Sequence, residues 1–232
     1  MTDLRICFVG DSYTAGVGDP EGLGWVGRVA RETLRRGRDL TFYNLGVRRD
    51  TSRNIQARFA GEIVARRAAG CDNRVVLSFG TNDTAPAEGV GGERVPDVGT
   101  LAVLADLLEW TRRQGLPTLV VGPPALTDDS RNARLLALTA LMRELTARRG
   151  VPFVPLAPSL AEDTRWRAEL STGDGAHPRA VGYELLARRV LDSGWWDWLD
   201  SPAAVPEEPR EPEEPREPEE PREPEAGGVP GA

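Results

Sequence analysis

The residues of this chain that could do chemistry together are one serine, one histidine and a few polar side chains beside glycine. Ser12 stands in Gly10-Asp11-Ser12, directly after an apolar run. A serine hydroxyl becomes a useful nucleophile when a neighbouring base takes its proton. His177, the sole histidine, lies in Gly173-Asp174-Gly175-Ala176-His177-Pro178, so the base has no competitor of its kind. Asp174, three residues earlier, could hold the imidazole through its Nδ1–H. Attack of Ser12 on an acyl carbonyl would create an oxyanion, which needs donors already in place about 3 Å away. The N–H of Ser12, the N–H of Gly46 and the side-chain amide of Asn82, in Gly80-Thr81-Asn82-Asp83, could supply them. Glycine at 46 would also admit a substrate close to the backbone.

Those residues need elements that bring them to one place. The runs 4–9, 40–45, 75–79, 118–121 and 152–156 are nearly continuous in apolar character, as strands covered on both faces must be. Helix candidates lie between them: 25–36, 52–69 stopped by Gly70, 101–114 stopped by Gly115, 131–149 capped by Ser130, and 178–191 with Pro178 at the first helical position. Strand-helix alternation predicts right-handed crossovers and a doubly wound parallel sheet. In such sheets ligands bind beyond the carboxyl ends of the strands, where the strand order reverses. With strand order 2-1-3-4-5, Ser12 after the first strand is flanked by Gly46 after the second and Asn82 after the third.

Composition closes off other chemistries. All 29 basic residues are arginine, and the absence of lysine removes Schiff-base chemistry, a Walker-type phosphate loop and a Ser-Lys dyad. Cys7 and Cys71 lack the spacing of a zinc site or a redox pair and read as free thiols. No cofactor is expected, and with one histidine and no clustered thiols no metal is either. The net charge of -7 is matched by residues 206–225 alone, with ten Glu and three Arg, so the rest is near neutral and nothing points to a nucleic-acid partner. Residues 1–9 run straight into a strand with no basic leader, and no run of roughly 18 apolar residues occurs; a cytoplasmic protein without a membrane span is expected. The ligand expected is a small-molecule ester, and the sequence says nothing of oligomeric state.

Four blocks together resemble a known family. Gly-Asp-Ser at 10–12, Gly46, Gly-x-Asn-Asp at 80–83 and Asp-x-x-His at 174–177 look like the four blocks of the SGNH (GDSL-type) hydrolases, in the family's order and over roughly residues 4–192. The resemblance implies a flavodoxin-like three-layer α/β/α sandwich with a five-stranded parallel sheet. It implies a serine esterase in which Ser12 is the nucleophile, Gly46 and Asn82 are oxyanion donors, and Asp174 and His177 complete the triad. Family members include esterases, lipases, thioesterases, lysophospholipases and carbohydrate deacetylases.

The chain departs from the family pattern at two places. Tyr13 follows the serine where the name-giving pattern has leucine. After Gly46 comes Val47-Arg48-Arg49-Asp50-Thr51, where relatives often carry a Ser-Gly pair before Asp-Thr. Arg48 and Arg49 could therefore bind an acidic group of the substrate, with Arg53 one turn on; the competing reading is surface solvation, since arginine is the only basic residue here. Two segments, 16–25 and 84–98, could wall or cover the pocket, or be plain loops.

An α/β-hydrolase is the rival enzyme, but its nucleophile sits in Gly-x-Ser-x-Gly and position 14 is threonine. Acyl transfer or carbohydrate deacetylation would use the same residues. A non-catalytic binding or scaffold domain with an acidic interaction tail is the alternative of another class. Residues 1–201 are expected to form the hydrolase domain. Residues 202–232 are expected to be a disordered tail, in which Pro-Glu-Glu-Pro-Arg-Glu repeats three times with the three-residue period of polyproline II. Trp195, Trp196 and Trp198 after the last helix are expected to pack on the body.

Overall fold

The computed structural model describes residues 3–89 and 92–202. Five parallel strands, β1 (Leu4–Gly10), β2 (Leu40–Gly46), β3 (Asp72–Ser78), β4 (Thr118–Val121) and β5 (Phe153–Val154), form one sheet in the order β2-β1-β3-β4-β5. Gly10 pairs with Gly46 on one side and with Ser78 on the other, so three carboxyl ends lie level with each other. Nine α-helices are found among the described residues: α1 (Ser12–Ala15), α2 (Gly24–Arg35), α3 (Ser52–Val64), α4 (Asp97–Arg113), α5 (Asp129–Arg148), α6 (Leu156–Ala161), α7 (Thr164–Ser171), α8 (Ala180–Val190) and α9 (Trp196–Asp200), the last two joined by a π-helical turn at Leu191–Trp195.

The sheet is covered on both faces because its strands alternate between two cores. Ile6 and Phe8 of β1 point into a cluster with Trp25 and Val29 of α2, Leu186 and Val190 of α8, and Trp195. Cys7 and Val9 point the other way, onto Ile55 and Phe59 of α3, Leu104 of α4 and Met142 of α5. This is the three-layer α/β/α sandwich; β1, β4 and the second half of β3 are apolar because both their faces are covered, while the edge strand β2 keeps Thr41, Phe42 and Asn44 exposed. Both cysteines are free, and burial pushes the Cys7 thiol up to about 11, where it is inert as a nucleophile. Trp195 and Trp198 are buried and Trp196 is half-buried under the Arg36 guanidinium, as expected.

Several element ends differ from the sequence-based expectation, each for a local reason. Helix α3 stops at Val64 and not at 69, because the Asn73 side chain takes the Ala68 N–H and donates to the Ala68 carbonyl, peeling that segment away. Asp128, not Ser130, caps α5: its carboxylate accepts the N–H groups of Ser130 and Arg131 at 2.9 and 3.0 Å. Pro178 lies before α8 and not in it, since Glu169 of α7 captures the N–H groups of Arg179 and Gly182 and so starts the helix at Ala180. The four short helices α1, α6, α7 and α9 were not foreseen; none is long enough to show a clear 3.6-residue period. Among the described residues, no helix is long and apolar enough to cross a membrane. The repeat at 206–225 lies outside the described residues.

Candidate active site

β1 ends at Gly10, and the chain turns at once into α1. Asp11 makes that turn: its carboxylate accepts the Tyr13 N–H at 3.0 Å and caps the helix. Asp11 is almost wholly buried, and burial, opposed by that N–H, pushes its carboxyl up to about 7. Ser12 is therefore the first residue of α1, buried at 4% exposure, with its N–H at the end of the helix that has no intrahelical acceptor.

His177 and Asp174 come from the loop between α7 and α8. His177 Nε2 lies 2.8 Å from Ser12 Oγ, and its Nδ1 lies 2.7 Å from Asp174 Oδ2. An ionised Asp174 can only accept, so Nδ1 carries the proton and Nε2 presents its lone pair to the serine hydroxyl. Burial would raise the Asp174 carboxyl, but the N–H groups of His177 and Ala176 and the imidazole outweigh it and hold the group at about 2. Asp174 Oδ1 accepts the His177 and Ala176 N–H groups at 2.8 and 3.0 Å, so one carboxylate fixes both the loop and the ring.

That loop is tied down from three sides. Leu170 of α7 accepts the Gly175 N–H, Thr127 donates its N–H and hydroxyl to the Gly175 carbonyl, and the Tyr13 hydroxyl donates to the Ala176 carbonyl. The Tyr13 ring also packs against the imidazole, with centroids 5.3 Å apart, and against Trp166 on its other side at 6.5 Å. Tyr13, which the sequence marks only as a departure from the family pattern, is thus a principal neighbour of His177. Its single signal in the sequence was its place beside Ser12.

Asn82 follows β3 and reaches the same edge. Its amide donates to the Asp50 carbonyl at 3.0 Å and approaches Asp11 Oδ2 at 3.5 Å, which orients it beside Ser12. Gly46 is not brought into the pocket. Its N–H donates to Asn44 Oδ1 at 3.0 Å, and a Cβ there would stand 2.1 Å from the Ala15 nitrogen. Glycine at 46 is thus required by the close approach of α1 to β2. The turn that follows it, 47–50, does reach the site: Arg48 and Arg49 line a cleft of about 460 Å³ with Ser12, Asn82 and His177.

Arg131, near the start of α5, lines the same cleft, and no sequence signal marked it beyond its place after the fourth strand. Its Nη2 donates to the Thr81 carbonyl at 2.9 Å, and its Nε is buried without a partner among the described residues. Burial pulls this guanidinium below its ordinary value, from which it still remains charged. Segment 16–25 backs the site without lining it, with Gly18 against His177 and Pro178. Segment 84–98 folds back through a bridge between Pro86 and Glu93, and Arg94 donates to the Arg49 carbonyl at 3.2 Å. A larger cleft, of about 580 Å³ between α2 and α8, is lined by ion-paired groups such as Arg28 and Glu184 and contains no serine, cysteine or histidine. Among the described residues, no cluster of three or more His, Cys, Asp or Glu is arranged to hold a metal ion.

A nucleophile, a base and a carboxylate in line, beside an amide donor, can carry acyl transfer through a covalent intermediate. Comparison with known proteins points the same way. The family described as GDSL-like Lipase/Acylhydrolase matches residues 8–185. No curated protein matches the chain. Among solved structures, the lipase/acylhydrolase from Enterococcus faecalis superposes with a TM-score of 0.68 at 22% identity, over 88% of this chain and 99% of that one. Axe2, an acetylxylan esterase from Geobacillus stearothermophilus, gives 0.70 at 18%, over 84% and 95%. The psychrotrophic esterase EstA from Pseudoalteromonas sp., in a structure inhibited by monoethylphosphonate, gives 0.64 at 16%, over 85% and 99%. At these identities the likeness is one of fold.

Proposed function

Because the chain belongs to the GDSL-like lipase/acylhydrolase family, and is thus a hydrolase, we propose that it cleaves carboxylic esters, or thioesters, through an acyl-Ser12 intermediate. The observation that carries this reading is the line Ser12 Oγ, His177 Nε2, His177 Nδ1, Asp174 Oδ2, with contacts of 2.8 and 2.7 Å at its two ends.

In this reaction His177 takes the Ser12 proton as Oγ attacks the acyl carbonyl, then passes it to the leaving alcohol or thiol. Water enters by the same route, with His177 taking its proton and returning it to Ser12 as the acid is released. Asp174 holds the imidazole in the tautomer that leaves Nε2 free to accept and stabilises the imidazolium that forms. The Ser12 N–H serves the developing oxyanion, and the Asn82 amide joins it by giving up its long 3.5 Å contact with Asp11 Oδ2 while keeping its bond to the Asp50 carbonyl. The third donor, expected at Gly46, moves to the 47–50 turn, because the Gly46 N–H is engaged by Asn44 while Arg49 lines the cleft and its N–H has no acceptor among the described residues. No step requires a metal or cofactor.

Residues 1–201 form the catalytic unit in this proposal, and the Pro/Glu/Arg repeat belongs to a tail, 202–232, outside the chemistry. The test is labelling with a fluorophosphonate and turnover of p-nitrophenyl esters. The wild-type chain is expected to show both, and Ser12→Ala neither. Labelling that survives in Ser12→Ala would place the nucleophile elsewhere. Absence of turnover on short and long acyl esters, acetylated sugars and thioesters would favour a binding domain.

A further inference from the structure

We infer that the substrate is an ester carrying a second, anionic group, a carboxylate, phosphate or sulfate, which Arg49 and Arg131 bind with Arg48 beside them. This rests on the hydrolase reading above and names the substrate class of the same site. The three arginines come from two separate elements, the turn 47–50 and the first turn of α5, and all line the cleft that holds Ser12 and His177. No carboxylate lines that cleft. Among the described residues none of the three arginines makes a salt bridge: Asp50, beside Arg49, is already paired with Arg58 at 2.9 Å, and Asp128, near Arg131, accepts backbone N–H groups as the cap of α5.

Two observations separate these arginines from ordinary surface cover. Arg49 has φ of 72°, the one non-glycine residue with positive φ among those described. The Asp50 N–H donates to the Val47 carbonyl at 3.2 Å, so Arg49 occupies the third position of a type II turn, where glycine is the unstrained choice. A long cation held in a glycine conformation at the mouth of a reactive site is strain of the kind that functional contacts retain. Arg131 stands in the first turn of α5, where the backbone N–H groups and helix dipole disfavour a cation. It is half-buried, and its one side-chain hydrogen bond among the described residues, to the Thr81 carbonyl, leaves Nε buried and unpartnered. An anion in the cleft would supply the counter-charge these arginines lack, and a carboxylate or phosphate suits the planar guanidinium fork.

The experiment compares paired esters that differ in one charge: mono-p-nitrophenyl adipate against p-nitrophenyl hexanoate for an anion on the acyl side, and 4-acetoxybenzoate against its methyl ester for one on the leaving group. The wild-type chain is expected to prefer the anionic member of at least one pair in kcat/KM, with a preference that falls as salt is added. Arg131→Gln and Arg49→Gly are each expected to lower that preference about tenfold, and Arg143→Gln, an exposed change of equal charge that does not line the cleft, to leave it alone. Calorimetric titration of Ser12→Ala with adipate and with 4-hydroxybenzoate reads the anion site without turnover, and binding is expected to weaken in the same two variants. Neutral esters preferred or equal in both pairs, with neither acid bound, overturn the inference while leaving the hydrolase reading intact. Binding of either anion with no ester hydrolysed overturns the hydrolase reading and leaves the anion site standing.

Discussion

His177 can take a proton from Ser12 only while its ring is held with Nε2 toward the hydroxyl, and two neighbours hold it. Asp174 grips Nδ1, and the Tyr13 ring and hydroxyl brace the imidazole and the carbonyl before it. Tyr13→Phe keeps the ring and loses the tie to Ala176, so kcat is expected to fall severalfold with little change in KM, read by steady-state kinetics on a p-nitrophenyl ester. Asp174→Asn is expected to lower kcat by about 10²–10⁴, through loss of the productive tautomer. The same substitution has a signature in stability. The folded protein holds the Asp174 carboxyl at about 2, below its ordinary 3.8, so its contribution is complete above 3.8 and is lost as pH falls through about 2. Urea titrations of wild type and Asp174→Asn should therefore differ by a constant amount from about pH 7 to 4, and that difference should shrink at lower pH.

At the scale of elements, the site depends on how tightly α1 is seated between its neighbours. Gly46 of β2 touches the backbone of Ala15, so Gly46→Ala is expected to force the two apart, at a cost of roughly 2–3 kcal/mol. It should also reduce kcat, because α1 carries Ser12; thermal unfolding and kinetics together check this. The 47–50 turn behaves in the opposite way. Relief of the positive φ by Arg49→Gly is expected to stabilise the fold by on the order of 0.5–1 kcal/mol, measured as a higher urea midpoint. A variant that gains stability while losing anion discrimination would show that the strain is held for the side chain.

At the scale of the whole molecule, the sheet order places the carboxyl ends of β1, β2 and β3 at one edge, and the 173–177 loop arrives there from far along the chain. The far end of the described chain is anchored by aromatic packing: Trp195 stacks on Phe8, tilts against Trp198 and donates to Thr33 Oγ1 at 3.1 Å. Trp195→Ala is expected to cost about 3–5 kcal/mol in unfolding stability, seen in denaturant titration. Because that anchor precedes residue 202, a chain ending at Pro202 is expected to retain the kcat/KM of the full chain on neutral esters. A large loss on truncation would give the acidic repeat a part in the reaction.

The sequence by itself determined the strand-helix alternation and the parallel sheet, and it singled out Ser12, Asn82, Asp174 and His177 as the candidate group. Apolar runs and glycine-bounded turns are local patterns, and a single histidine leaves the base no alternative. The packing contacts decided the rest. Whether Gly46 offers its N–H to a substrate or to Asn44 depends on the seating of α1 against β2, which no stretch of sequence records. Tyr13 beside His177 and Arg131 beside Arg49 are neighbours across 164 and 82 positions of chain, brought together by strand order and by caps such as Asp128 and Glu169. Sequence reports which groups are present and how elements repeat; which atoms face one another follows from distances between elements, and those exist only in the folded chain.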